Sequence, residues 1–477
     1  MGLKGEVMAP TILWFRRDLR LQDNAALTAA VSNGGPIIPV FICDEQVEAL
    51  GAAPKWRLNA GVAELQNTLR GKNSRLTLRR GSALKVLNKL VTETGARAVY
   101  WQRAYDPISQ ARDTVIKSEL IALGIDVKSF KGHLLFEPWT VQTKVGGFFK
   151  VYTPLWNSVR NRDVSEPLPE PGKIPGPNEF PASENLEDWQ LGSQMSRGEK
   201  NVRQYARVGS ECAQARLNQF TEGALKHYNT TRDIPGKDGT SKLAENLALG
   251  EITPAQCWHA ARLELDRGNK GAEIFLKELV WREFAYHLLH HTPEILDQNW
   301  KPAWNAFPWS EDNKSSKFMA WKSGRTGLEF VDAAMRELYV TGTMHNRGRM
   351  IVASYLTKHL MTHWRLGQAW FEQCLIDWDP ASNAMGWQWA AGSGPDATPY
   401  FRVFNPETQV EKFDPDRRYR SAWIAEGQQK PPLSAMQFFD AVPDNWGLSP
   451  TNNYPKPIVS AKEGREIALS FYKNRNF

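Results

Sequence analysis

Through residues 11–135, short apolar runs alternate with amphipathic segments. The runs at 11–15, 36–43, 75–79, 98–101 and 126–130 have the length of buried strands, whereas 24–32, 56–71, 82–95 and 108–123 carry helical spacing. That alternation predicts an α/β domain built on a parallel, doubly wound sheet. No Gly-x-Gly-x-x-Gly follows any of these strands, so a dinucleotide fingerprint is absent. Residues 136–205 are rich in Pro, Gly, Ser and charge, densest at 167–181, and predict a linker laid over the surface. From 206 to 477 the period turns helical: Phe275, Leu276, Leu279, Val280, Phe284 and Leu288 share one face, and Phe330, Val331, Ala334, Met335 and Leu338 another. These faces predict an all-α second domain.

Composition narrows the class. The chain has 477 residues, 42% of them hydrophobic and 23% charged, which suits a soluble protein of two or three domains. No apolar run is long enough to span a bilayer and no signal-peptide core opens the chain, so a cytoplasmic protein with no membrane contact is expected. Cys43, Cys212, Cys257 and Cys374 are scattered without a Cys-x-x-Cys pair. The pairs His287/His291 and His359/His363 lack a His-Glu-x-x-His glutamate, so no metal site is expected. The net charge of +7 invites a nucleic-acid reading, yet residues 201–477 carry 33 basic against 31 acidic side chains. Nucleic acid bound there needs a local basic groove. Ten of the 19 Trp lie between Trp281 and Trp389, more than a core needs.

Four stretches could carry chemistry. Asp379 before Pro380 predicts an N-cap and a helix over 380–391. On it Asn383 and Trp387 share a face, about 6 Å apart along the axis. The segment suits a ligand wall, and equally a capped helix with core tryptophans. Gly239-Thr240-Ser241-Lys242-Leu243 before a helix suits a phosphate cradle or a plain N-terminus. Glu278, Trp281 and Arg282 sit within one turn, an acid, a ring and a guanidinium suited to a planar polar ligand or to a surface ion pair beside a core Trp. Arg347 and Arg349 open a helix against its dipole, which calls for a compensating anion such as Asp377 or a phosphate.

Together these motifs resemble the DNA photolyase/cryptochrome family across nearly the whole chain. The match runs from Leu13-Trp14-Phe15-Arg16-Arg17-Asp18-Leu19-Arg20 through Glu278-Leu279-Val280-Trp281-Arg282-Glu283-Phe284, Met344-His345-Asn346-Arg347 and Trp387-Gln388-Trp389 to Phe404-Asn405-Pro406-Glu407-Thr408-Gln409. It is most similar to a class I-type cyclobutane pyrimidine dimer photolyase. The resemblance implies an N-terminal Rossmann-like antenna-binding domain over 10–135, a linker over 136–205 and an all-α FAD-binding domain over 206–477. FAD would be held by Tyr228, Thr240, Ser241, Lys242, Leu243, Ala244, Phe275, Arg349, Asp377 and Asp379, with Ala244 standing where Ser is usual. Asn383 would face the flavin, where a neutral amide suits an electron donor better than a signalling state. The implied reaction is light-driven electron transfer from reduced FAD to a pyrimidine dimer flipped out of DNA. Trp281 and Trp389 would sandwich the bases, Glu278 and Asn346 bond their edges, and Met350 pack on them. Arg232, Arg282, Arg347 and Gln409 would complete the DNA contacts. Trp387, Trp364 and Trp309 would relay electrons to oxidised FAD. His345-Asn346 favours cyclobutane dimers over (6-4) photoproducts; a (6-4) photolyase or a cryptochrome-like photoreceptor is the alternative. The antenna, a deazaflavin, FMN or methenyltetrahydrofolate, stays open, with Asp44, Glu45 and Gln110 nearby. A monomer is expected.

Overall fold

The computed structural model describes residues 8–396 and 401–475. Five strands, β1 (Thr11–Phe15), β2 (Ile37–Cys43), β3 (Thr77–Arg80), β4 (Ala98–Gln102) and β5 (Asp126–Phe130), form one parallel sheet in the order β3-β2-β1-β4-β5. β1, β2 and β4 are buried along their whole length, as continuous apolar runs must be when helices cover both faces. Period-two alternation sends Ile12 and Trp14 into one core and Leu13 and Phe15 into the other. β5 lies at an edge, where Asp126 and Lys128 are exposed and pair with each other, a charged rim that discourages strand addition. Helices α1 (Ala25–Ser32), α2 (Ala52–Gly71), α3 (Ala83–Thr94) and α4 (Pro107–Ala122) complete the domain.

Residues 136–205 are more than a surface covering. Tyr152, Leu155, Trp156 and Val159 enter a core of the helical domain, and Ile174, Leu186, Trp189 and Leu191 enter a core of the sheet domain. Polar composition hid these anchors because they are spaced too widely to show a period.

The helical domain is organised around α5 (Ser210–Glu222), α6 (Lys270–His291), α7 (Glu329–Thr341), α8 (Asn346–Ser354), α9 (Trp364–Cys374), α10 (Pro380–Ala391) and α11 (Pro406–Phe413). Two apolar clusters divide it, one around α6 and one around α7 to α10. Among the described residues no helix is long and apolar enough to cross a membrane.

The two domains are joined by buried charge. Arg57 on α2, fully buried, donates to Glu245 Oε2 at 2.8 Å and to both oxygens of Glu251 at 2.8 and 2.6 Å. Glu245 also accepts from Arg216 at 2.6 Å, and Asn246 donates to Glu251 at 2.6 Å. Burial by itself lowers the Arg57 pKa, but Glu251 and then Glu245 outweigh it and raise it.

Candidate active site

A cavity of about 1680 Å³ opens between the two clusters of the helical domain, and α6, α8 and α10 each present residues to it. α10 begins as its sequence dictates: Asp379 accepts from Ser382 N–H at 2.9 Å and Pro380 takes the first helical position. Burial opposes ionisation of Asp379, but Arg17, Arg282 and hydrogen bonds from Tyr286 and Ser382 N–H hold its pKa below the ordinary value. Arg17 reaches it from the sheet domain at 3.5 Å and donates to Ala248 O at 2.8 Å. The motifs gave no site role to Arg17, although it lies within the N-terminal signature, and none to Tyr286 on α6.

The unfavourable cations at the start of α8 both find carboxylates. Arg349 bonds Asp377 Oδ2 at 2.6 Å and Met344 O at 2.9 Å, while Arg347 pairs with Asp233 at 2.8 Å and lies over Phe413. His345 caps this helix with Nδ1, which accepts Arg347 N–H at 3.1 Å and so must be unprotonated. Burial, helped by Arg347, lowers the His345 pKa to about 4 although Asp233 acts in the other direction. The unfolded chain therefore takes up the proton first as pH falls from about 6.5, the ordinary histidine value, and stability from this site is lost between there and about 4. His345→Asn keeps a cap without that titration. Melting temperatures at pH 7.5 and pH 5 should show the variant gaining on the wild type as the medium is acidified.

The residues expected to hold the cofactor converge. Tyr228, Thr240, Ser241, Lys242, Leu243, Ala244, Phe275, Arg349, Asp377, Asp379 and Asn383 all line the cavity. The helix after the Gly239–Leu243 loop is only Ala244–Ala248, too short for the macrodipole expected of it. The loop offers another device: positive φ at Lys242 followed by αR at Leu243 turns successive N–H groups toward one side, a concavity suited to an oxyanion. Asn383 donates Nδ2 to Gln368 O at 3.1 Å. Glu337, which sequence patterns did not flag, also lines the cavity, and burial pushes its carboxyl up to about 7 despite donation from Tyr419 and His345 N–H.

The residues present fit FAD. Asp377 Oδ1 and the indole N–H groups of Trp378 and Trp387 are buried without a protein partner beside the cavity. At Gly386 a Cβ would meet nothing within 4 Å, so the α10 wall is open there. Asp377→Asn, which weakens a charge-assisted pair, should lower FAD affinity about tenfold in titrations of the apoprotein.

Tryptophans divide between cavity and core. Trp281, Trp387 and Trp389 line the cavity; Trp364 and Trp309 do not. Trp387 is 2% exposed, edge-on to Phe371 at 4.9 Å and to Trp321 at 6.0 Å. Its ring lies against the backbone of α9, where a Cβ at Gly367 would come within 2.1 Å of it. Trp364 donates to Asn299 at 2.8 Å, Trp309 to Thr357 O at 2.7 Å, and the His363 ring touches both indoles.

At the cavity's other wall Glu278 pairs with Arg232 at 2.5 Å, and burial raises the Glu278 pKa although Arg232 counteracts it. Asn346 and Met350 line the cavity; Arg347 and Gln409 lie outside its lining. Arg282 also lines the cavity, and its guanidinium donates to His133 O at 2.8 Å. In the sheet domain Asp44 caps the Glu45–Ala49 helix and pairs with Arg112, and Gln110 donates to Tyr105 O at 2.7 Å, so both side chains are spent on internal contacts. Among the described residues no group of three or more His, Cys, Asp or Glu is placed to hold a metal.

Comparison with known proteins bears on the fold and the family. Residues 11–172 match the family model described as DNA photolyase, and 275–474 match the FAD binding domain of DNA photolyase. A deoxyribodipyrimidine photo-lyase of Agrobacterium fabrum is 45% identical over 97% of this chain and 98% of its own. A crystal structure of a bacterial class III photolyase from Agrobacterium tumefaciens superimposes with TM-score 0.90 at 43% identity, covering 99% of both chains. An archaeal photolyase from Sulfolobus tokodaii, solved with two FAD molecules, gives TM-score 0.78 at 30% identity over 98% of this chain and all of that one. The class I-type assignment drawn from the motifs is therefore not supported: the spacings it rested on are common to the family and do not separate its classes. The chain belongs to the DNA photolyase/cryptochrome family.

Proposed function

We propose that this protein repairs cyclobutane pyrimidine dimers in DNA with light, as a photolyase of the class III type. One observation carries the reading: a single cavity gathers the FAD set around Asp377, Arg349 and the 240–244 loop together with the ring platforms Trp281 and Trp389. Bound reduced FAD would supply an excited electron for the dimer. The protein's own residues do the rest. Trp281 and Trp389 offer π-faces that accept any base, and an extruded dimer reaches them cheaply because damage has already weakened its stacking. Glu278 and Asn346 address polar edges, and Met350 fills space beside them. Arg232 and Arg347, held by Glu278 and Asp233, stand where a phosphate would compete for their remaining N–H groups and position the strand without reading sequence. Apolar side chains of both clusters, among them Leu279, Phe284 and Trp387, form part of the walls.

Purified, reduced protein illuminated with dimer-containing DNA should restore intact thymines. Binding without restoration in the light would sink the reading. Trp389→Ala should weaken binding of dimer-containing DNA about 10- to 100-fold while photoreduction of FAD proceeds, because one stacking platform is gone. Fluorescence anisotropy with a dimer-bearing oligonucleotide checks it.

A further inference from the structure

Tyr152 opens the helix Tyr152–Val159, in the segment between the two domains. Its ring lies flat on Trp281, centroids 3.7 Å apart and planes within 4°. Its hydroxyl donates to Lys277 O at 2.7 Å, one helical turn before Trp281 on the same helix. It meets Phe284 edge-on at 6.0 Å and is 7% exposed. Trp281 lines the cavity whereas Tyr152 does not, so the tyrosine covers one indole face and leaves the other to the cavity. Its backbone N–H also reaches the carboxylate of Asp396, a cavity residue of the segment after α10.

We propose that Tyr152 is a positioning residue for lesion recognition, the backing ring that fixes the plane of Trp281 on which the extruded pyrimidine stacks. This rests on Trp281 acting as a stacking platform. The physical argument is preorganisation. An indole clamped on one face before binding has no rotamer freedom left to lose when a base lands on the other. A tyrosine tied to the helix that carries the indole moves with it, so the clamp and the platform stay in register. Leucine at 152 would fill space but leave the indole free to tilt. Phenylalanine would keep the stack and lose only the tether.

The test is a double-mutant cycle on the FAD-loaded protein, with a dimer-bearing oligonucleotide and its undamaged twin. Tyr152→Leu should weaken binding of the damaged strand about fivefold, the scale of one aromatic pair, and leave the undamaged strand unaffected. Tyr152→Phe should stay near wild type. In a Trp281→Leu background, Tyr152→Leu should have no further effect on lesion binding. An equal loss with and without Trp281, or an equal loss for both oligonucleotides, overturns the proposal. Should Tyr152→Leu shed FAD, the same cycle is run with Tyr152→Met, which fills the space without a ring, and the same two outcomes decide. If the wild type itself fails to distinguish damaged from undamaged DNA, the repair reading of the cavity falls. If it distinguishes them and Tyr152→Leu does so equally well, only the positioning role falls.

Discussion

Arg57→Met should destabilise the protein by about 3–5 kcal/mol, the cost of removing one partner from a buried ionic network. The size reflects the groups left behind: Glu245 and Glu251, 3% and 0% exposed at their side chains, lose the one cation they share. Arg216 and the Arg207 N–H on Glu245, with Asn246 on Glu251, are too little to hold two buried negative charges. Because Ala244 immediately precedes Glu245, the same substitution should loosen the 240–244 loop and release FAD at lower urea concentration than global unfolding requires. Changing both acids with the arginine, as Arg57→Met with Glu245→Gln and Glu251→Gln, should recover much of the loss. Dark urea titrations followed by flavin fluorescence and by far-ultraviolet dichroism read both transitions. A loss below about 1 kcal/mol, the worth of an exposed pair, would refute the account.

The second large effect belongs to Trp387. Trp387→Phe should abolish photoreduction of oxidised FAD while chemically pre-reduced protein repairs dimers at the wild-type rate. The indole lines the cavity on one side and joins the aromatic core containing Trp321, Trp364 and Trp309 on the other. Phenylalanine fills most of the same space but is far harder to oxidise. Absorbance of FAD during illumination with an external reductant, set beside thymine restoration in the dark-reduced sample, separates the two roles. Equal loss in both assays would show that Trp387 shapes the cavity and relays nothing.

Legibility in the sequence tracked chain locality. The Asp379–Pro380 cap, the helix over Pro380–Ala391 and the need for an anion beside Arg349 were all readable, because each is a rule about neighbours on one helix. Strand interiors were readable for the same reason, and only their ends moved by a residue or two, as at β3 (Thr77–Arg80). Contacts between distant segments escaped. Arg57 with Glu245, Arg17 with Asp379 and Tyr152 with Trp281 are separated by well over a hundred positions and obey no period. Arg282 shows both sides: its spacing placed it beside Trp281 on the cavity, and only the fold shows that its guanidinium is also held by His133 O. The short Ala244–Ala248 helix shows that a loop motif fixes a turn without fixing the length of the helix it introduces.

The guanidinium bridges from the sheet domain also order events in time. Arg17 and Arg57 leave the ribosome before any residue of the cavity, and their partners Asp379 and Glu245 arrive only with the helical domain. Until the halves dock, Arg216 and Arg282 of the helical domain act on the 240–244 loop and the cap of α10 without the cations that the sheet domain supplies. Capture of the cofactor thus becomes the closing act of assembly, and a helical half produced alone would be a container whose latch was synthesised in the missing piece.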